Sequence, residues 1–303
     1  MTTRQAGFRG RRLVAALAVL GLGGLGTFGI AACGSTRPAG NSAAGGPSIS
    51  TTPSPSPASP ATSSATRPTI GFSNWKVGAK PLPLRSDGYG EIEPTPAQLV
   101  DRRLPTVDFL PPPKDGRFHS TESPVPAAVL ARSTWQASCP VTAAQLRYLT
   151  MSFWGFDGRP HTGEMIVNAQ VASAVPTVFA KLYAAHFPIE EMRVASVADV
   201  TAHPTGDGND TTSFVCRPTV GLTTWSVHAY GLAIDLNPFC NPYREGSLVV
   251  PELASAYLNR SNVRPGMVLP GDATVRAFAS IGWKWGGSWT SPKDLMHFTA
   301  TGH

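Results

Sequence analysis

Two short segments far apart in the sequence, residues 226–235 and 294–298, constrain the fold of this chain more than any other feature. The first segment contains His228 and Asp235, and the second contains His297. Two imidazoles and one carboxylate form a donor set that binds zinc tetrahedrally and leaves the fourth position for water. If these side chains share a metal ion, the fold must bring both segments to one point.

Turn and strand signals favour this convergence. Gly231 lies between His228 and Asp235 and argues against a continuous helix, so we predict a tight turn that leads into a strand. His297 would then come from a closing strand near the C-terminus. Asp294 precedes His297 by three residues, so a turn there would place a second carboxylate beside the metal ligand. Calcium and magnesium prefer more oxygen ligands and fewer imidazoles, so zinc is the expected metal.

The N-terminus predicts export. Residues 1–12 hold four arginines and no acid, residues 13–30 are apolar, and Cys33 follows small residues. This order is typical of a secretory signal peptide, which we place at residues 1–32. The cysteine resembles that of a bacterial lipobox, which implies a lipid anchor at Cys33 and a protein held at the outer face of the cell membrane. The alternative is an ordinary signal peptide with a chance cysteine, and export by the Sec or the twin-arginine route is open.

Removal of the signal peptide changes the charge of the protein. The full chain carries a net charge of +6, and the four arginines of residues 1–32 account for four of these, which leaves +2. A charge this small gives no strong basic field, so we expect no binding to nucleic acid.

Two segments of unusual composition precede the C-terminal part of the chain. Residues 33–69 are rich in Ser, Thr, Pro and Ala and contain no aromatic residue and no acid. Such a segment cannot bury enough apolar area to fold, so we predict a tether that lets the protein reach into the cell wall. Residues 70–132 are Pro-rich and weakly periodic, and we predict an extension that wraps the domain or stays loosely ordered.

Residues 133–303 have the length of one compact domain. We predict four strands before the C-terminal third, at residues 146–153, 164–167, 192–197 and 232–236. We also predict a helix that begins at or is kinked by Pro176, a helix capped by Asp272, and a closing pair of strands around residues 283–285 and 296–299. Strands and helices do not alternate regularly, which favours an α+β fold with a small mixed or antiparallel sheet and flanking helices.

Three cysteines remain apart from Cys33: Cys139, Cys216 and Cys240. In an exported protein they allow one disulfide and one leftover thiol, and the sequence does not fix the pairing. Cys240 lies close to Asp235 but has no Cys-x-x-Cys partner, so we interpret it as structural or free.

The two chemically informative segments carry a ten-residue and a four-residue pattern, Ser226-x-His228-x-x-Gly231-x-Ala233-x-Asp235 and Asp294-x-x-His297. This pair resembles the VanY-type D-alanyl-D-alanine carboxypeptidase and L-alanyl-D-glutamate endopeptidase family of zinc peptidases. The resemblance extends to the run Gly-Trp-Lys-Trp-Gly-Gly at residues 282–287 and covers roughly residues 135–303.

The resemblance implies a role for each residue of the pattern. His228, Asp235 and His297 would bind one zinc ion, and Asp294 would be the general base that activates the zinc-bound water. Ser226 would orient the substrate.

Two further residues are candidates for contact with substrate. Arg217, nine residues before Ser226, could bind a substrate carboxylate or the oxyanion, with a surface ion pair as the alternative. Tyr230 could line the cleft.

The function that the resemblance implies is hydrolysis of peptidoglycan stem peptides by an exported, lipid-anchored zinc peptidase. The cleaved bond would be the D-Ala-D-Ala end or the L-Ala-D-Glu bond. The alternative is a non-catalytic cell-wall-binding lipoprotein that keeps the peptidase fold. The presence of all three ligand candidates and the base candidate argues for an enzyme, because a degenerate domain is expected to lose at least one of them.

Overall fold

A computed structural model describes residues 71–220 and 222–302 of the chain. The predicted signal peptide at residues 1–32, the lipidation site Cys33 and the tether at residues 33–69 lie outside the described residues. Within the described part, no helix has the length and apolar character needed to cross a bilayer.

The first sheet forms the centre of the domain. It contains β1 (Ser120–Pro124), β2 (Leu146–Trp154) and β3 (Pro160–Asn168), which are antiparallel neighbours in this order. The strands predicted at residues 146–153 and 164–167 are confirmed, and the second is longer than predicted. Their buried side chains include Leu149 and Met165, which are paired across β2 and β3 and belong to the largest hydrophobic cluster.

Two helices cover this core. Helix α3 (Val175–Ala184) buries Val178, Phe179 and Leu182, and Pro176 lies in its first turn, where the missing N–H costs no helical hydrogen bond. Helix α5 (Ala273–Ala279) begins at Asp272, whose carboxylate accepts a hydrogen bond from the backbone N–H of Val275 at 2.8 Å. Both helices were predicted from the sequence. The shorter helices are α1 (Ala97–Val100), α2 (Ala127–Arg132) and α4 (Val197–Thr201).

Two further sheets lie beside the core. One has the order β4 (Ala233–Asp235), β9 (His297–Thr299) and β7 (Lys284–Trp285), and the other has the order β6 (Leu248–Val250), β5 (Tyr243–Glu245) and β8 (Lys293–Asp294). All their pairings are antiparallel. The predicted closing pair of strands is confirmed by β7 and β9, and the mixture of small antiparallel sheets with few helices confirms the α+β class.

The strand predicted at residues 192–197 is wrong. This segment is extended, but its backbone groups bind side chains and isolated partners instead of a ladder, and α4 begins at Val197. The backbone N–H of Arg193 donates to a carboxylate oxygen of Asp210 at 3.0 Å, and the carbonyl of Arg193 accepts from the hydroxyl of Thr212 at 3.2 Å. The pattern of apolar side chains therefore predicted a strand at a place where no neighbouring strand is available to pair with it.

Residues 71–109, which we call the N-terminal strap, pack along the domain. Leu82 and Leu99 are buried in a second hydrophobic cluster together with Phe239 and other residues from the C-terminal half. Arg102 is fully buried, and its guanidinium donates to both carboxylate oxygens of Glu190 at 2.6 Å. The strap therefore contributes apolar side chains and one ion pair to the interior, although most of its residues are exposed or half-buried.

One disulfide joins two distant parts of the domain. Cys139 and Cys216 are bonded across a sequence separation of 77 residues, and both lie in a third apolar cluster with Val141 and Phe214. Cys240 is a buried free thiol. The bond fixes the segment that leads from Cys216 into the first metal-ligand candidate.

Candidate metal centre

A short 3-10 turn places His228. The turn spans Val227–Tyr230, and the hydroxyl of Ser226 caps it by accepting a hydrogen bond from the backbone N–H of His228 at 3.3 Å. Gly231 ends it with φ +66°, and a Cβ atom there would lie 2.6 Å from the backbone nitrogen of Asn168. Both the backbone conformation and the close approach of the chain require glycine at this position.

A backbone carbonyl orients the His228 ring. The Nδ1 atom lies 2.7 Å from the carbonyl oxygen of Ser213, so Nδ1 carries the proton and donates it to this oxygen. The Nε2 atom is consequently the ring nitrogen that can bind a metal ion. A partner of this kind, which fixes the tautomer and the ring orientation, is typical of histidines that bind metals.

Strand pairing supplies the other two candidate ligands. Asp235 in β4 and His297 in β9 are directly opposite each other in the ladder. The Asp235 carboxylate lies 3.0 Å from Nδ1 of His297 and 3.2 Å from Nε2 of His228. One ligand atom from each of the three residues lies within 4.8 Å of the others. The turn, the strand and the closing strand that the sequence predicted therefore bring the three side chains together.

The donor set fits zinc. Two imidazole nitrogens and one carboxylate oxygen converge from three directions, whereas calcium and magnesium prefer sites dominated by oxygen. Burial opposes ionisation of Asp235, but His228 and His297 outweigh it and hold the pKa of this carboxyl well below its usual range. The carboxylate is thus in the form that binds a metal ion.

Asp294 lies beside this cluster in an unusual electrostatic environment. Burial, followed by repulsion from Asp235, raises its pKa to about 7. Its Oδ1 atom is buried and makes no hydrogen bond within the described residues. A carboxylate with a free oxygen and a pKa near neutrality is suited to accept and return a proton.

The cluster lines a cleft of about 600 Å³, and we call its part of this cleft the metal end. Ser226 and Arg217 line this cleft together with Asp294 and the three candidate ligands. Within the described part of the chain Arg217 makes no salt bridge, and its guanidinium donates a hydrogen bond to the carbonyl of Pro218 at 3.2 Å. Its guanidinium is therefore available to a ligand in the cleft, which favours the substrate-binding interpretation over the surface ion pair.

Tyr230 does not lie among the residues that line the cleft. Its side chain is exposed, and its backbone carbonyl accepts a hydrogen bond from the side-chain amide of Asn168 at 2.9 Å. The structure therefore brings together all the predicted site residues among those described except this one.

Sequence reasoning missed four further residues that line the cleft. Asp87 and Tyr89 reach it from the N-terminal strap, and Tyr243 and Glu245 reach it from β5. We name these four residues the distal rim. The strap residues carry no motif. Tyr243 and Glu245 follow the metal-ligand pattern along the chain, but the sequence analysis did not assign them to the site.

Comparison with known protein families matches residues 220–300 to the family described as D-alanyl-D-alanine carboxypeptidase. This stretch contains the turn with His228, Asp235 in β4, Asp294 in β8 and His297 in β9. It excludes the N-terminal strap. No curated protein and no solved structure matches the chain.

Proposed function

We propose, from the premise that residues 220–300 belong to the VanY-type family of zinc peptidases, that this protein is a zinc-dependent D-alanyl-D-alanine carboxypeptidase acting on peptidoglycan stem peptides. The observation that carries the proposal is the convergence of His228, Asp235 and His297 at one end of a cleft that also contains Asp294. A domain that had kept only the fold would have no need of all four groups in this arrangement.

His228, Asp235 and His297 would hold the zinc ion. When bound, zinc supplies Lewis acidity toward a peptide carbonyl and makes a water molecule more acidic. Asp294 would accept a proton from the attacking water at its unpartnered Oδ1 atom and then transfer it to the leaving amine. Because hydrolysis ends with a protonated amine, one carboxylate can serve both steps.

Arg217 supports cleavage at the end of a chain. A carboxypeptidase must recognise the terminal carboxylate of its substrate, and a guanidinium is the side chain best suited to bind a carboxylate. Arg217 lines the same cleft as the metal cluster and is not neutralised by a salt bridge among the described residues. Ser226 lines the cleft beside it and would help to orient the peptide. These features favour the carboxypeptidase reaction over the endopeptidase reaction.

The proposal includes export and a lipid anchor at Cys33, since the substrate lies outside the cell membrane. Its basis is the order of arginines, apolar residues and cysteine in the first 33 residues. Expression of the full chain and of Cys33→Ala, followed by separation of membranes and labelling with a fatty acid, tests it. Label and membrane association should both be lost in the variant, and a labelled variant would contradict the anchor.

The deciding experiment measures both metal and products. Zinc in the purified protein is determined by elemental analysis, and a stem peptide that ends in D-Ala-D-Ala is digested with and without EDTA and analysed by mass spectrometry. We expect one zinc ion per chain and loss of one D-Ala that EDTA abolishes. Release of a fragment that begins at D-Glu would mean an endopeptidase. Zinc without cleavage would favour a binding module, and absence of zinc would overturn the site.

A further inference from the structure

The distal rim is built differently from the metal end of the cleft. Asp87 and Tyr89 come from the N-terminal strap, outside the segment that matches the peptidase family. Tyr243 and Glu245 lie in β5, on the same side of the strand because side chains alternate. The hydroxyl of Tyr243 donates a hydrogen bond to Glu245 at 2.7 Å, which confirms that these two side chains lie together.

The strap part of the rim is held in a fixed position. Residues 82–91 form a hairpin in which the backbone N–H of Arg85 donates to the carbonyl of Tyr89 at 2.8 Å. The backbone N–H of Gly90 donates to the buried carboxylate of Glu252 at 2.7 Å, which ties the hairpin to the domain. Tyr89 is half-buried between these two anchors. Its ring therefore belongs to a preformed wall of the cleft.

The charges of the rim are not balanced. Asp87 is neutralised by the guanidinium of Arg85, with an N–O distance of 2.8 Å. Glu245 makes no salt bridge with any described residue and accepts only the hydroxyl of Tyr243. Burial raises the pKa of Tyr89, the Arg217 guanidinium opposes this effect, and the carboxylates of Asp87, Glu252 and Glu245 add to it. Tyr89 therefore lies within electrostatic reach of both Arg217 and Glu245. One uncompensated carboxylate thus shares the rim with two phenol rings.

Strand pairing gives the distance from the rim to the catalytic end. Tyr243 in β5 is directly opposite Asp294 in β8. Glu245 is two residues further along β5, which corresponds to roughly 7 Å at the rise of an antiparallel strand. An extended peptide covers this distance in about two residues. A substrate cleaved beside Asp294 would therefore present a side chain to Glu245 from about two residues away.

We propose that Glu245, with Tyr89 and Tyr243 beside it, forms a subsite for a side-chain ammonium group of the substrate peptide, carried about two residues before the scissile bond. The carboxylate supplies the opposite charge, and the faces of the two phenol rings attract a cation. The inference rests on the proposed function, because that function places the scissile bond at the metal end. It adds that the N-terminal strap selects the substrate.

The test separates binding from cleavage. Two peptides end in D-Ala-D-Ala and differ in one residue, lysine or Nε-acetyl-lysine, directly before the first D-Ala. Their affinities for the zinc-loaded full chain with Asp294→Asn are measured by calorimetry, so that no turnover is needed. We expect acetylation to weaken binding about tenfold, since an exposed ion pair and a cation–π contact each contribute modestly.

Variants assign this preference to the rim. Glu245→Gln should reduce the ratio of the two affinities to nearly one, and Tyr89→Leu should reduce it about threefold. Glu93→Gln, which removes an exposed acid outside the cleft, should leave the ratio unchanged. Zinc content and thermal unfolding are recorded for each variant, so that a folding defect is recognised.

The outcomes distinguish the two proposals. Equal affinity for both peptides, no measurable binding of either, or a preference that persists in Glu245→Gln would overturn the subsite. A preference that Glu245→Gln abolishes, combined with no cleavage of either peptide by the wild-type enzyme, would support the subsite and reject the peptidase function. Cleavage of both peptides at equal kcat/KM, with equal affinities, would support the function and reject the subsite.

Discussion

The metal end and the distal rim of the cleft are built on opposite electrostatic principles. At the metal end, the half-buried carboxylates of Asp235 and Asp294 lie close enough to repel each other, and burial followed by this repulsion raises the pKa of Asp294 to about 7. At the distal rim, the carboxylates of Asp87 and Glu245 are exposed, and Arg85 neutralises the first of them. The repulsion between the two carboxylates of the metal end would therefore be relieved by a bound cation. The exposed carboxylates of the rim need no bound cation to be ionised.

This difference shows where chemistry and selection reside. Buried, unbalanced charge is costly to maintain and is expected where it serves a reaction. Exposed charges contribute little to the free energy of unfolding, so the charged residues of the rim can be substituted without loss of the fold. We therefore expect substitutions at the metal end to change turnover and metal content, and substitutions at the rim to change the choice of substrate.

The largest expected effects are losses of activity in two variants of the metal end, which differ in whether they keep zinc. His228→Ala should lose both zinc and activity, because it removes one of only three candidate ligands. Asp294→Ala should keep zinc but lower kcat by roughly 10³-fold, which is within the range for removal of a general base. Elemental analysis and peptide digestion measure both properties. Full turnover by Asp294→Ala would show that another group moves the proton.

The next largest effect tests whether the strap belongs to the fold. Arg102→Ala would leave Glu190 buried without its partner, which typically costs about 3–5 kcal/mol of the free energy of unfolding. Urea unfolding of the variant measures this loss. Arg103→Ala changes the adjacent half-buried arginine, which forms no salt bridge among the described residues, and serves as the matched control. Equal stability of the two variants would mean that the strap is only loosely attached.

A smaller effect concerns pH. The folded-state pKa of Asp294, about 7, lies above the ordinary value of 3.8, so its protonated form favours folding. The stability associated with this group is complete below about pH 4 and is lost as the pH rises through 7. Metal-free Asp294→Asn should therefore gain stability relative to metal-free wild type between pH 4 and pH 8, by on the order of 3 kcal/mol.

Asp87→Asn is the matched control for this titration. The Arg85 guanidinium lowers the pKa of Asp87, so this carboxylate is already ionised across the same pH range. The difference between Asp87→Asn and wild type should stay constant from pH 4 to pH 8. Saturation with zinc should shrink the advantage of Asp294→Asn, because a dication favours the ionised carboxylate. Thermal unfolding at several pH values, with and without zinc, measures each of these differences.

The smallest expected effect concerns Tyr230. Its side chain is exposed and lies outside the lining of the cleft, so Tyr230→Phe should change kcat/KM less than twofold. Steady-state kinetics with the D-Ala-D-Ala peptide measure this ratio. A tenfold loss would show that the substrate extends beyond the cleft in this direction.

The metal end could be predicted because its geometry is local. A capped turn, Gly231 and a short strand fix His228 and Asp235 within ten residues, and one strand pairing adds His297. The helix starts marked by Pro176 and by the cap Asp272 are local in the same sense. Periodicity failed at residues 192–197, since a strand also needs a partner, and no neighbouring segment provides a full ladder there.

The distal rim could not be predicted because nothing local determines it. Tyr89 reaches the cleft only because Gly90 is bound by Glu252, a residue far along the chain, and because Leu82 is buried in the second hydrophobic cluster. A Pro-rich segment shows no periodicity from which these contacts could be inferred. The pairing of Cys139 with Cys216 depends in the same way on the folded arrangement.

The disulfide has a consequence for the resistance of the protein to proteolysis. The closed loop between Cys139 and Cys216 includes the exposed residues 202 and 203, which follow α4. Exposed connections of this kind are the usual places of proteolytic nicking. A single cut there would leave both fragments covalently joined, with the buried faces of β2, β3 and α3 still packed together. A protein molecule cleaved at this point would therefore stay in one piece, because the disulfide holds its two fragments together.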